Sequence, residues 1–163
     1  MATPKFFIQG SDFQVDDIVV LPEDEHRHAM LSRRLPIGSE VILLNGIGSI
    51  ATGRLVDLNK KSASVQVDKV EQKHPSRPLI RIASAIPKGD RQKQMLDMLT
   101  QVGVFEFIPL ECQFSAVKVN GKMIQKWQRV VSEACKQSGN PFVTTVSSPL
   151  TVEGLIDSTY WQN

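Results

Sequence analysis

Apolar and polar positions change rhythm once along this chain, near residue 79. Up to Val70 the apolar residues come in short runs: Ile18-Val19-Val20-Leu21, Val41-Ile42-Leu43-Leu44, Ile50 to Leu58 and Ser62 to Val70. Within Ala63-Ser64-Val65-Gln66-Val67-Asp68 they alternate strictly, the period of a strand with one face on a core and the other in water. Asn45-Gly46, followed by Gly48, predicts one hairpin turn, and Asn59-Lys60-Lys61 predicts another. One helix is expected here, from Glu23 to Leu35, with acids in its first turn after Pro22 and a stop before Pro36-Ile37-Gly38. About 70 residues of short strands with a single helix predict a small β-barrel.

Beyond residue 79 the spacing lengthens. An apolar run from Leu79 to Ile86 breaks at Pro87-Lys88-Gly89-Asp90, resumes at helical spacing through Met95, Leu96, Met98, Leu99 and Val102, and stops at Gly103 before a second run from Val104 to Leu110. That order is strand, loop, helix, strand, and it predicts a βαβ crossover with parallel strands. A second helix is expected from Lys122 to Gln137, with Ile124, Trp127, Val131 and Ala134 on one face. Lys122, Lys126, Arg129, Glu133 and Lys136 form the charged stripe opposite. Gly139-Asn140-Pro141 ends that helix, Phe142 to Val146 predicts a third strand, and Ser148-Pro149 or Thr151 starts a further helix carrying Leu155 and Ile156. The stretch from Glu71 to Pro78, polar and with two prolines, separates the rhythms. The expected domains are therefore 1–72, all-β, and 79–163, α/β, joined by a linker at 73–78.

Composition sharpens this only a little. The chain has 163 residues, 41% of them apolar, and a formal net charge of +2. Residues 1–72 carry 8 Lys and Arg against 10 Asp and Glu, whereas residues 73–163 carry 11 against 7, so the halves differ in sign. A charge of +2 is too weak to announce a polyanion partner by itself. The opening MATPKFFIQG has no long apolar core, and no run approaches the ~18 apolar residues of a membrane span. Cys112 and Cys135, without CxxC or Cys/His ligand spacing, suit a reduced cytoplasmic setting.

Candidate chemistry concentrates at two places. Pro87-Lys88-Gly89-Asp90-Arg91 lies at the carboxyl end of the first strand of the crossover, where open α/β sheets bind ligands. There Lys88 and Arg91, with Lys93 following, suit a phosphate or an RNA backbone, although the loop has neither the GxGxxG nor the Walker pattern. Arg27, Arg33 and Arg34, with Lys60-Lys61 at a hairpin tip, predict a basic rim for a nucleic-acid backbone; the competing account is ordinary solvated charge. Glu23, Glu25, His26 and His28 lack HExxH spacing and a third ligand, and read as an exposed helix face, not a metal site. Cys112, Cys135 and Trp127 read as packing residues. No Ser/His/Asp arrangement or separated carboxylate pair is present, so no catalytic residue is identified.

Pro87-Lys88-Gly89-Asp90-Arg91, the segment from Val104 to Leu110, and Trp127-Gln128-Arg129 leading to Glu133-Ala134-Cys135-Lys136-Gln137-Ser138 resemble the RsmE family of bacterial 16S ribosomal RNA (uridine-N3) methyltransferases. His28, Arg34 and Gly38 fall where that family has a histidine, an arginine and a glycine. Leu44-Asn45-Gly46-Ile47-Gly48 and Lys60-Lys61-Ser62 are similar to its hairpin and basic-turn segments. The match runs in order over nearly the whole chain. Met98 and Gln101 depart from it where the family has a lysine and a glutamate, as do Ser32, Arg33 and the segment from Gly139 to Thr144.

The resemblance implies a PUA-like β-barrel that docks ribosomal RNA, followed by the first part of a SPOUT-type parallel α/β domain. It further implies S-adenosylmethionine as cofactor, bound in a deep trefoil knot, and homodimers formed through that knot. The family's Gly-Pro-Glu-Gly-Gly loop and Arg-containing segment are not found in these 163 residues, so no cofactor-binding residue is carried over. Arg34, Lys60, Lys61, Lys88 and Arg91 are carried over as candidate RNA contacts. The function expected of the full-length protein is methylation of N3 of a uridine in 16S rRNA on the 30S subunit, with RNA affinity but no turnover from this stretch alone. The alternative is a non-catalytic RNA-binding or ribosome-assembly module.

Overall fold

The structure, a computed structural model, describes residues 3–33, 35–115 and 117–158. It divides into two compact units, one of residues 1–75 with 136–142 and one of residues 76–135 with 143–163. The expected second domain, 79–163, thus includes a segment, Lys136–Phe142, that is counted with the first unit.

In the first unit, β1 (Lys5–Phe7), β2 (Ile18–Val20), β3 (Glu40–Leu44), β4 (Ser49–Leu58) and β5 (Ala63–Gln72) form one sheet in the order β1-β3-β4-β5-β2. All pairings are antiparallel except β1 with β3, which run parallel. The strict alternation in β5 has its predicted outcome: Ala63, Val65 and Val67 are buried, while Gln66 and Asp68 face water. These side chains join Phe6, Val41, Leu43 and Leu55 in one core, and burying each larger aliphatic or aromatic contributes ~1.5–3 kcal/mol. Gly53 sits in β4 at a register shift, where a Cβ would lie 2.1 Å from the Gln66 carbonyl oxygen. Only a hydrogen there lets the two strands meet.

The helix expected from Glu23 to Leu35 is half realised. Residues Glu23–Arg27 form an α-helix, α1, and His28–Arg33 continue it with π-type winding. Such wider turns shift the faces of a helix and recur at functional sites. The expectation of an exposed face on this segment is also corrected, since Glu25 and His26 are buried. Glu25 Oε1 accepts from the Phe7 backbone N–H at 3.2 Å and from Lys136 Nζ at 2.7 Å, a pairing that spacing along the chain cannot reveal. Lys136 accordingly leaves the solvated stripe assigned to its helix.

In the second unit, β6 (Arg81–Ala85), α2 (Arg91–Gln101) and β7 (Glu106–Glu111) form the crossover, with β6 and β7 parallel. Gly103, at φ 80°, closes α2: its N–H donates to the Thr100 carbonyl at 3.1 Å and the Val104 N–H to the Leu99 carbonyl at 3.0 Å. That pair of bonds is a Schellman motif, and a side chain there would be strained. Helix α3 (Gly121–Ser138) turns Trp127, Val131 and Ala134 inward, and Trp127 and Val131 pack with Ile86, Leu96 and Phe107. The third strand is shorter than expected and broken. β8 (Thr145–Val146) and β9 (Leu150–Thr151) each pair in parallel with β7, separated by Ser147-Ser148-Pro149, where proline has no N–H to offer the ladder. A short helix, α4 (Val152–Ile156), follows with Thr151 as its cap, Oγ1 accepting from the Gly154 N–H at 3.0 Å. No helix among the described residues is long and apolar enough to cross a membrane.

Three outcomes test these packing arguments. Gly53→Ala destabilises the first unit by about 1–3 kcal/mol in urea unfolding, the cost of forcing a methyl into a filled site. Trp127→Ala destabilises the second by about 3–5 kcal/mol in the same measurement. Glu71, hydrogen-bonded to Lys69 at 2.7 Å and paired with Lys73 at 3.0 Å, is held at a pKa of about 2, below its ordinary 4.5. Its contribution is therefore complete above pH 4.5 and lost as pH falls towards 2. Glu71→Gln makes that part of the acid-unfolding curve shallower, read by circular dichroism.

Candidate nucleic-acid interface

Within the first unit, α1 with its π-wound extension meets the tip of the β4–β5 hairpin, and a cleft of about 540 Å³ lies there. Glu23, His26, Arg27, Met30, Lys60 and Lys61 line it. Asn59 makes most of the side-chain bonds at the hairpin tip. Asn59 Oδ1 accepts from the backbone N–H groups of Lys61 at 2.8 Å and Ser62 at 3.1 Å, and its amide nitrogen donates to Asp57 Oδ2 at 2.8 Å and Ser62 Oγ at 3.2 Å. An asparagine bonding its own backbone two residues on is a turn-former that needs no help from the rest of the fold. It leaves the ammonium groups of Lys60 and Lys61 exposed on a defined loop.

The opposite wall comes from α1. His26 Nε2 lies 2.8 Å from the Asn59 carbonyl oxygen, which can only accept, so Nε2 carries the proton and Nδ1 is the nitrogen left to accept in the neutral ring. Arg27 stays exposed, with its guanidinium 2.7 Å from Glu23 Oε1. A pair so open to water is worth under ~1 kcal/mol and leaves the guanidinium available to a phosphate.

Sequence reasoning named Lys60, Lys61 and Arg27 as members of one rim, and the fold brings these three to one cleft. Arg34 lies outside the described residues, and so do the side chains of Leu31 to Arg33. Lys88 and Arg91 belong to the second unit, exposed beyond the carboxyl end of β6. Met30 and His26 were missed as lining residues. Met30 lies in the π-wound segment, whose faces α-helical spacing does not predict, and His26, in α1, reads by spacing alone as part of an exposed face.

The carboxyl edge of the parallel sheet is open and carries exposed cations. At Gly89 and Gly121 a Cβ would meet no protein atom within 4 Å. The exposed charges beside Gly89 include Lys88 and Arg91, which disfavour a sulfonium cation. Among the described residues no group of three or more His, Cys, Asp or Glu side chains is placed to hold a metal ion.

Two family models match the chain: an RNA methyltransferase PUA domain over residues 21–68, which contains every residue lining the cleft, and an RNA methyltransferase domain over residues 74–162. The ribosomal RNA small subunit methyltransferase E of Synechocystis is 30% identical over 118 residues, 72% of this chain and 39% of that protein. Its Bacillus subtilis namesake is 26% identical over 82% of this chain and 55% of its own length. The chain thus spans about half the length of these curated relatives or less. Among solved structures, the ribosomal RNA small subunit methyltransferase E of Neisseria gonorrhoeae bound to S-adenosyl methionine superposes with a TM-score of 0.89 at 26% identity. The match covers 99% of this chain and 68% of that one. A PUA-type half-barrel followed by a parallel α/β unit, each matched in order, places the chain in the RNA methyltransferase family, among relatives named ribosomal RNA small subunit methyltransferase E.

Proposed function

We propose that the full-length protein methylates N3 of a uridine in 16S rRNA, using S-adenosylmethionine and acting as a homodimer on the small ribosomal subunit. In this reading the 163-residue chain supplies RNA grip without turnover. The observation that carries the RNA reading is the convergence of Arg27, Lys60 and Lys61 on one cleft within the segment matched by the PUA model. Three cations on one rim neutralise successive phosphates and release their counterions, which is how a protein of modest net charge binds a polyanion. Lys88 and Arg91, beyond the carboxyl end of β6, extend the set of candidate contacts, and Arg34 completes it by resemblance alone.

Methylation at N3 places demands on the RNA. That nitrogen lies on the Watson–Crick edge, so the uridine must be unpaired or splayed outward, and its N3 proton must leave. The rim's part is to position backbone, because phosphate contacts set register and carry no sequence information of their own. A second reading, a non-catalytic RNA-binding or ribosome-assembly module, draws on one feature: the loop at the carboxyl end of β6 has neither the GxGxxG nor the Walker pattern.

Two measurements check the proposal. Replacing Lys60 and Lys61 together by glutamate weakens binding to 16S rRNA and lowers the slope of log affinity against log salt by about 2. Unchanged affinity and slope overturn the rim. Calorimetric titration of S-adenosylmethionine into the 163-residue chain gives no binding heat, and micromolar affinity overturns the assignment of the donor site to other parts of the full-length protein.

A further inference from the structure

We infer that the cleft between α1 and the β4–β5 hairpin tip receives a single unpaired nucleotide of the RNA, and that His26 reads the edge of its base. The inference rests on the RNA-binding reading of the same cleft and adds what kind of RNA element fills it.

Size is the first argument. A rim that only tracks duplex phosphates needs a flat or gently concave surface, whereas this one lines an open cleft of about 540 Å³. That lies within the ~300–1,000 Å³ of sites that enclose small ligands. The chemistry of the lining divides in the same way as a nucleotide does. Lys60, Lys61 and Arg27 are exposed cations suited to a phosphate. Met30 is a half-buried thioether suited to the face of a base, and His26, 9% exposed, is a polar group withdrawn from bulk water.

His26 also has a defined polarity. With Nε2 donating to the Asn59 carbonyl, Nδ1 is the ring nitrogen left to accept, and the carboxylate of Glu23, paired with Arg27, is the other acceptor in the lining. A base edge carrying an amino or imino N–H complements that pair. In a helix such edges are already paired, so only an unpaired or bulged nucleotide offers phosphate and base edge to the cleft together.

Both walls are set in advance of binding. Asn59 fixes the hairpin tip through four hydrogen bonds, and Glu25, adjacent to His26, fixes α1 through Phe7 and Lys136. A preformed cavity avoids the ordering cost that loops pay when they close on a ligand.

The test uses three RNA hairpins of equal charge: one with a single bulged nucleotide, one fully paired, and one with an abasic residue at the bulge. By fluorescence anisotropy the native chain binds the bulged hairpin about tenfold more tightly than the other two, the scale of one accommodated base. His26→Leu removes both ring nitrogens and leaves the Asn59 carbonyl to water, and it abolishes that preference while affinity for the paired hairpin stays put. Reversing Lys60 and Lys61 instead weakens all three hairpins alike. Equal native affinity for the bulged and abasic hairpins overturns the inference without any variant, and so does a His26→Leu chain that folds, by circular dichroism, and retains the preference. In both cases a salt slope still sensitive to Lys60 and Lys61 leaves the RNA-binding rim standing. A slope insensitive to them removes the rim, and the inference with it.

Discussion

Much of the first unit is arranged around one buried carboxylate. The Glu25 side chain, 4% exposed, receives the Phe7 backbone N–H and the Lys136 ammonium, itself 14% exposed, on the same oxygen. Its other oxygen, Oε2, has no hydrogen-bond partner among the described residues. Desolvating two charges for one close contact is not a net gain over well-packed apolar side chains. What the pair supplies is position. It sets α1 against β1 and ties the segment from Lys136 to Phe142 into the first unit. Because neighbours on a helix diverge by about 100°, turning Glu25 inward also sends His26 towards the hairpin tip and Arg27 to the surface.

The loops of this unit reuse a second device. Asn45, Asn59 and Asn140 each accept, through Oδ1, the backbone N–H two residues on: Ile47 at 3.0 Å, Lys61 at 2.8 Å and Phe142 at 3.0 Å. Each turn is thereby closed by its own side chain. Two of the three meet. Ile47 bridges Phe142, and the Gly48 N–H donates to the Pro141 carbonyl at 3.0 Å, so the returning segment is stitched to the β3–β4 turn. The third turn stands at the cleft, where it carries Lys60 and Lys61. A basic loop that spent its order on contacts elsewhere would present its charges less sharply; this one is ordered from within.

The two units differ in how their polar groups are used. In the second, buried polar side chains support the sheet itself: Glu106 joins Arg81 at 3.0 Å and Ser147 at 2.5 Å, and Thr144 donates to the Val104 carbonyl at 2.7 Å. These contacts stitch neighbouring parallel strands at their amino ends. They leave the carboxyl end, with Lys88 and Arg91, exposed to solvent.

Local chemistry was legible in the residues alone. The period-two pattern of Ala63 to Asp68, the glycine stop at Gly103, the parallel crossover between the runs at Leu79 and Val104, and the inward face of Trp127 and Val131 all follow from spacing, since each is decided within a few residues of itself. Lys60 and Lys61 at a turn were legible for the same reason. Tertiary structure alone decided that Glu25 and Lys136, 111 positions apart, share a buried contact. It also decided that the predicted helix from Glu23 changes winding at His28, that Phe142 bridges Ile47 and does not open the third strand, and that His26 and Met30 line a cleft. Periodicity records which side of an element faces a core; the partner that waits there is set by chain-distant packing, and a charged residue expected in water is buried only when that packing delivers its counter-charge.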